Sequence, residues 1–104
     1  MESTQALLAL SAIGHAKRLA IFRLLVAAGL SGRTAGDIGN ELGIPGATLS
    51  FHLKKLASAG LITAEPRCQF VCYRAVIDVV DDLVAYLTQT CGHSARKPGR
   101  RGRL

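Results

Sequence analysis

The chain has 104 residues, of which 49% are hydrophobic, and a formal net charge of +6 at pH 7. This length suits one small domain, and no uninterrupted apolar stretch is long enough to cross a bilayer, which excludes a membrane-spanning protein. Five of the thirteen Lys and Arg residues lie between Arg96 and Arg103, so residues 1 to 92 hold eight cations against seven acids and are nearly neutral.

The beginning of the chain predicts two helices and no export signal. Residues 1 to 5 are polar without a cationic flank, and the apolar residues around Leu7, Leu8 and Leu10 follow helical spacing, unlike a signal peptide. His15 opens the second helix, where a capping or packing role is expected. We therefore expect a cytoplasmic protein.

Residues 34 to 56 have the pattern of two short helices joined by a tight turn. Thr34 is placed to cap the first helix, Asp37 lies in its first turn, and residues 43 to 46 contain the glycines and proline that end it. The second helix covers residues 47 to 56, with Leu49, Leu53 and Leu56 on one stripe. This is the helix-turn-helix pattern, whose second helix enters the major groove of double-stranded DNA.

The side of the second helix opposite its leucine stripe is the predicted DNA-contacting surface. Together with its flanks this surface carries Thr48, Ser50, Phe51, His52, Lys54 and Lys55. For His52, a backbone or phosphate hydrogen bond is favoured over metal ligation. Phe51 is a large apolar residue on a polar face, which contact with a thymine methyl group would explain. Partial packing of Phe51 against the following hairpin is the alternative.

Two runs of strand-forming residues follow, at 61 to 63 and 70 to 76, and predict a β-hairpin beside the second helix. Its turn is expected at residues 66 to 69, where Arg67 and Gln69 could contact phosphate or the minor groove. A last helix is predicted from about Ile77 to Cys91. Its apolar stripe, together with the opening helix, suggests dimerisation, although packing in the core would also explain it.

The chain resembles the ArsR/SmtB-type winged helix-turn-helix repressors over residues 6 to 92. The segments that carry the resemblance are residues 10 to 21, 43 to 45, 48 to 54, 59 to 62 and 73 to 75. The resemblance implies a mainly α fold with a small β-hairpin, in the order α-α-α-α-β-β-α, and a homodimer joined through its terminal helices. A two-fold dimer would bind an operator that is an imperfect inverted repeat.

The chain is therefore expected to divide into a working domain and a tail. Residues 1 to 92 would form the DNA-binding and dimerisation domain. Residues 93 to 104 would form a basic, disordered tail, either phosphate-seeking or merely solvated.

The cysteines are the predicted sensor, because cytosolic thiols stay reduced and are suited to ligand binding. Residues 83 to 88 followed by Cys91 are similar to the arsenic-responsive branch of the family. We therefore expect trivalent arsenic or antimony as the inducer, bound through Cys68, Cys72 and Cys91, with no organic cofactor. Such an inducer would release the repressor from its operator.

The spacing of the cysteines leaves their arrangement open. Four strand residues span about 13 Å, so Cys68 and Cys72 cannot share one ion on a straight strand. The wing could bend near Cys68, a second protomer could supply a thiol, or Cys72 could pair with Cys91, which is the arrangement we favour. Alternatively, Cys72 is a small core hydrophobe and Cys68 an incidental loop thiol.

The histidines and acids do not form a catalytic arrangement, so an enzyme is not predicted. Two other functions remain open. One is a repressor that uses the same three cysteines as a redox switch. The other is a winged-helix protein-interaction module without an operator, a use that the fold permits.

Overall fold

The computed structural model describes residues 1 to 89, which form five α-helices and a three-stranded antiparallel sheet. Their order is α1 (Ser3–Ile13), α2 (Ala16–Ala28), a 3₁₀ turn (Gly29–Ser31), β1 (Arg33–Thr34), α3 (Ala35–Leu42), α4 (Gly46–Ser58), β2 (Ile62–Arg67), β3 (Phe70–Ala75) and α5 (Ile77–Thr88). The predicted winged helix-turn-helix is confirmed, with one strand more than the sequence indicates. Within residues 1 to 89, no helix is long and apolar enough to cross a membrane. Cys91 and the basic tail lie outside the described residues.

Side-chain caps begin two of the helices at the predicted positions. His15 caps α2, since its Nδ1 accepts a hydrogen bond from the backbone N–H of Lys17 at 3.2 Å. Thr34 caps α3, since its side-chain oxygen accepts a hydrogen bond from the backbone N–H of Asp37 at 3.1 Å. The carboxylate of Asp37 lies in the first turn of α3, where the positive end of the helix dipole stabilises a negative charge. Gly43, in the left-handed conformation, ends α3. The turn between the two helices of the motif is therefore set locally.

The core lies where α2, α3 and α4 cross. Its most completely buried large side chains are Ile21, Leu25, Ile38, Leu56 and Leu61. The predicted leucine stripe of α4 is buried in this core, which confirms the orientation of the helix. The inner side of α1 is made of small residues, Ala6, Ala9 and Ala12, which bring that helix close to its neighbours.

The sheet has β3 in its centre, between β1 and β2, with Cys72 opposite Thr34 on one side and Glu65 on the other. The predicted turn at residues 66 to 69 is too long. Arg67 pairs with Phe70, which leaves a two-residue turn, and Pro66 lies within β2. Proline is tolerated there because β2 is an edge strand and need not donate a hydrogen bond outward.

Gly32 allows β1 to approach β3 closely. It has a φ of 67° and a ψ of −170°, a conformation that is essentially restricted to glycine. A Cβ atom at this position would lie 2.5 Å from Cys72 Sγ and 2.6 Å from the backbone oxygen of Tyr73. Any larger residue would therefore push the first strand away from the sheet.

The last helix begins at Ile77 as predicted but ends at Thr88, within the described residues, because Gln89 is extended. One side of α5 packs inward through Val79, Val80 and Leu83, and the Tyr86 hydroxyl lies 2.9 Å from that of Ser3 on α1. The other side exposes large apolar residues, as does the neighbouring face of α1. The most exposed of these are Leu7, Leu8, Val84 and Leu87. The apolar stripe of α5 is thus divided between the core and the surface.

Candidate nucleic-acid interface

The outward side of α4 presents polar, basic and aromatic groups together. Thr48, Ser50, Phe51, Lys54 and Lys55 are all exposed, as predicted. The helix contains no acidic residue, so the two lysines give this surface a positive charge that phosphate would attract. An α-helix that presents such a surface can fit the major groove of B-form DNA.

His52 departs from the prediction, because it is buried with only 4% of its surface exposed. The sequence pattern places it on a flank of α4, where a phosphate could reach it. Instead its ring lies 4.8 Å from that of His15, and its Nδ1 is 3.2 Å from Arg18 Nη1. His52 therefore packs behind the outward face of α4 and is not among the exposed residues of that face.

Arg18 joins three helices at this point. Its Nε donates to the carbonyl of Ala12 on α1 at 2.6 Å, and its Nη1 faces His52 on α4. A guanidinium has no acceptor, so His52 Nδ1 must accept this hydrogen bond with an unprotonated nitrogen. The contact between α2 and α4 thus requires a neutral His52.

Burial lowers the pKa of His52 below the ordinary value of 6.5, and the neighbouring His15, Arg18 and Lys17 lower it further. The folded protein consequently binds this proton less readily than the unfolded chain does. The stability contributed by neutral His52 is present above pH 6.5 and is lost as the pH falls through the folded-state pKa. We therefore expect the free energy of unfolding to be lower at about pH 5.5 than at about pH 7.5.

Urea unfolding of the wild type and of His52→Gln at equal protein concentration measures this effect. The glutamine side chain of the variant can accept a hydrogen bond from Arg18 but does not titrate in this range. The loss of stability on acidification should be smaller in the variant. Equal losses in the two proteins would assign the pH dependence to other groups.

The wing carries both residues predicted at its tip. Arg67 and Gln69 are exposed, on either side of Cys68. Arg67 Nη2 lies 3.5 Å from Glu65 Oε1, whereas Arg74 Nη2 is only 2.6 Å from the same oxygen. The exposed pair of Arg67 is weak, so its guanidinium can turn toward a phosphate without a large cost.

Comparison with known proteins agrees with this geometry. Residues 13 to 65 match a family described as a helix-turn-helix domain. The chain is also 31% identical, over 83 residues, to the HTH-type transcriptional regulator YgaV of Escherichia coli, with 80% of this chain and 82% of YgaV aligned.

The chain belongs to the helix-turn-helix transcriptional regulators. Its fold is a winged helix-turn-helix, similar to those of two solved ArsR-like proteins. An ArsR-like transcriptional regulator from Rhodococcus sp. RHA1 superposes with a TM-score of 0.72 at 19% identity, over 81% of this chain and 76% of that one. A homodimeric winged helix-turn-helix DNA-binding domain from Mycobacterium bovis, Mb0332, described as a possible ArsR-family regulator, has a TM-score of 0.68 at 26% identity. In that comparison 88% of this chain and 89% of the other are covered.

The cysteines of this helix-turn-helix regulator occupy unlike environments. Cys72 is buried on the central strand, and its Sγ donates to the carbonyl of Ser31 at 3.2 Å. Cys68 is exposed in the two-residue turn, with a φ of 53°. Among residues 1 to 89, no three His, Cys, Asp or Glu side chains lie close enough together to hold a metal ion. The Cys72–Cys91 arrangement stays a prediction, since Cys91 lies outside the described residues.

Two features that support the candidate interface could not be predicted from the sequence. One is the role of Arg18, which fixes the rear of α4 in this regulator through a contact with His52 that spans 34 residues. The other is strand β1, because two residues are too short to show an alternating pattern. The sequence signal that could indicate β1 is Gly32, whose lack of a side chain permits the close approach to β3.

Proposed function

We propose that this regulator is a homodimeric repressor of transcription that binds operator DNA and is released when its thiolates bind a trivalent arsenical or antimonite. The observation that carries the DNA-binding part is the outward face of α4. There Lys54 and Lys55 lie beside exposed small hydroxyls, while the opposite side of the helix is anchored in the core. The charge attracts the phosphate backbone, and the polar groups can reach base edges.

Dimerisation is supported by the apolar surface on the terminal helices. Leu7 on α1 is 66% exposed and Leu87 on α5 is 57% exposed, which is unusual for leucines of a small domain. Burying these leucines against the same residues of a second copy would remove the apolar surface of both protomers from water. The homodimeric state of the Mycobacterium bovis domain points to the same arrangement. Two copies related by a two-fold axis would present two recognition helices to an imperfect inverted repeat.

The coupling between inducer and DNA is proposed to run through Cys72. Its thiol donates to Ser31, and its backbone pairs with Thr34, which caps the first helix of the DNA-binding motif. A ligand that takes the Cys72 sulfur would remove the bond to Ser31 and loosen β1. Because the same strand leads into α3, the change would reach the helix-turn-helix directly.

The chemistry of the inducer follows from the donors. Thiolates are soft ligands and prefer soft thiophilic species such as trivalent arsenic and antimony. A Cys72–Cys91 pair would suit a monomethylated trivalent arsenical, in which carbon occupies one position, whereas inorganic arsenite would prefer a third thiol. Cys68 could supply that thiol from the same or the second protomer.

Fluorescence anisotropy of the reduced protein on DNA from upstream of its own gene tests this function. Trivalent arsenicals and antimonite are titrated into the complex, with zinc and hydrogen peroxide as comparisons. We expect release by a trivalent arsenical or antimonite at low concentration. Release by peroxide alone would replace the metalloid sensor by a redox switch, and absence of DNA binding at low salt would favour an interaction module.

Serine variants of Cys72 and Cys91 identify the sensing thiols. Each variant should bind DNA with an affinity close to that of the wild type, because a serine hydroxyl at position 72 can still donate to the Ser31 carbonyl and neither residue belongs to α4. Each should lose the response to the inducer, since a hydroxyl does not replace a soft thiolate ligand. Cys68→Ser is the matched comparison, and it should still respond if two thiols suffice. Unaltered induction in both Cys72→Ser and Cys91→Ser would refute the site.

A further inference from the structure

Phe51 is the most unusual residue of the outward face of α4. Its side chain is large and apolar, yet 54% of it is exposed. Two neighbouring side chains contact its ring. The His52 ring meets it in an edge-on arrangement at 5.7 Å, and Lys55 Nζ lies 5.4 Å from its centroid.

The alternative explanation, packing against the wing, has little support in the structure. The cleft between α4 and the sheet is lined by Ser50, Leu53, Lys54, Ala57, Ala64 and Tyr73. Phe51 follows Ser50 in the sequence and is not among the residues that line this cleft. The ring is therefore presented to the surroundings and is not covered by the wing.

Behind the ring of Phe51 lies a buried and hydrogen-bonded neighbour. His52, against which the ring rests, is buried and bonded to Arg18, which is itself bonded to the backbone of α1. An exposed aromatic ring whose position is fixed by a buried neighbour is prepared for contact, because little side-chain entropy remains to be lost on binding.

We propose that Phe51 reads the C5-methyl group of a thymine in the major groove. This inference rests on the proposed operator binding and names the base that the site recognises. The thymine methyl is the apolar group that a base pair offers at the major-groove edge, and an aromatic ring can contact it without a hydrogen bond. Lys55, beside the ring, adds a charge that phosphate or guanine attracts. A 5-methylcytosine at the same position would be accepted for the same reason, and unmethylated cytosine or uracil would not.

Removal of single methyl groups from the DNA tests the proposal. A binding sequence is selected from randomised duplexes with the purified protein, and each thymine is then replaced in turn by deoxyuridine, which keeps base pairing and lacks only the methyl group. At one thymine in each half-site we expect deoxyuridine to weaken binding about fourfold, and about fifteenfold when both half-sites are changed. Deoxyuridine at other positions should have smaller effects.

Variants of Phe51 connect this effect to the ring. Phe51→Ala should bind thymine and deoxyuridine operators equally, while Phe51→Leu, which retains an apolar surface, should keep part of the preference. Lys54→Ala is the matched control on the same face. It should weaken binding to both operators alike and reduce the salt dependence, because it removes a charge without removing the ring.

The outcomes separate the two levels of the proposal. If no duplex is selected, operator binding itself fails, and the reading of a methyl group fails with it. If a duplex is selected but no deoxyuridine weakens binding, or if the preference for thymine persists in Phe51→Ala, the role of Phe51 is refuted while operator binding stands.

Discussion

Replacement of Gly32 by alanine should lower the free energy of unfolding by about 4 kcal/mol, a large part of the stability of a small domain. About half of this loss comes from the backbone, since a φ of 67° with a ψ of −170° is strained for any residue with a side chain. The rest comes from the collision of the new Cβ with Cys72 Sγ and the Tyr73 carbonyl, at 2.5 and 2.6 Å. Chemical denaturation followed by circular dichroism measures the loss.

Gly29→Ala is the matched control, because Gly29 has a φ of 62° and a ψ of −145° but no heavy atom within 4 Å of the place that a Cβ would take. It should cost only the backbone part, about 2 kcal/mol. The difference between the two variants then reports the contact of β1 with β3. If both substitutions cost the same, the close approach at Gly32 contributes nothing to stability.

Introduction of a charge at Leu7 should abolish tight operator binding while leaving the protomer folded. Leu7 is 66% exposed on α1, so Leu7→Glu removes few contacts within one copy. In a two-fold dimer the substitution occurs twice in the same interface, and two buried carboxylates would oppose association. We expect a monomeric protein whose operator affinity falls about a hundredfold or more, because the two recognition helices no longer bind together.

Sedimentation velocity and fluorescence anisotropy on the same samples measure the two effects of Leu7→Glu. Leu30→Glu is the matched control, since Leu30 is 87% exposed in the 3₁₀ turn and belongs to neither α1 nor α5, although it lines a cleft with Ile77 at the start of α5. That variant should remain dimeric and bind DNA normally. A Leu7→Glu protein that is still dimeric, with normal affinity, would move the dimer interface to another surface.

The helices of the DNA-binding motif could be predicted because their signals are local. Thr34 caps a helix through a hydrogen bond to a residue three positions away, and the leucines of α4 repeat with the helical period. The strand β1 and the length of the hairpin turn could not be predicted. Strand β1 forms by pairing with β3, which is distant from it in sequence. The turn is short because Pro66 is accommodated in β2, which is an edge strand.

The exposed residues of the interface could be predicted for the same reason, since helical periodicity assigns a side chain to one face. His52 could not be assigned correctly from periodicity alone. It lies at the border of the stripe, and it is buried against Arg18 of α2 and His15, which are distant from it in sequence. A residue at the edge of a stripe is placed by its tertiary partners, and these leave no local pattern.

The hydrogen bonds of Arg18 have a mechanical consequence. They attach α1, which carries part of the proposed dimer surface, and α4, the proposed DNA-contacting helix, to the same side chain, at 2.6 and 3.2 Å. We therefore expect a rotation of one subunit against the other, in the proposed dimer, to move α4 together with α1. Operators whose two half-sites are spaced differently could then be bound by a change in the packing of α1 against α1 of the second protomer. The outward face of α4 would keep its structure.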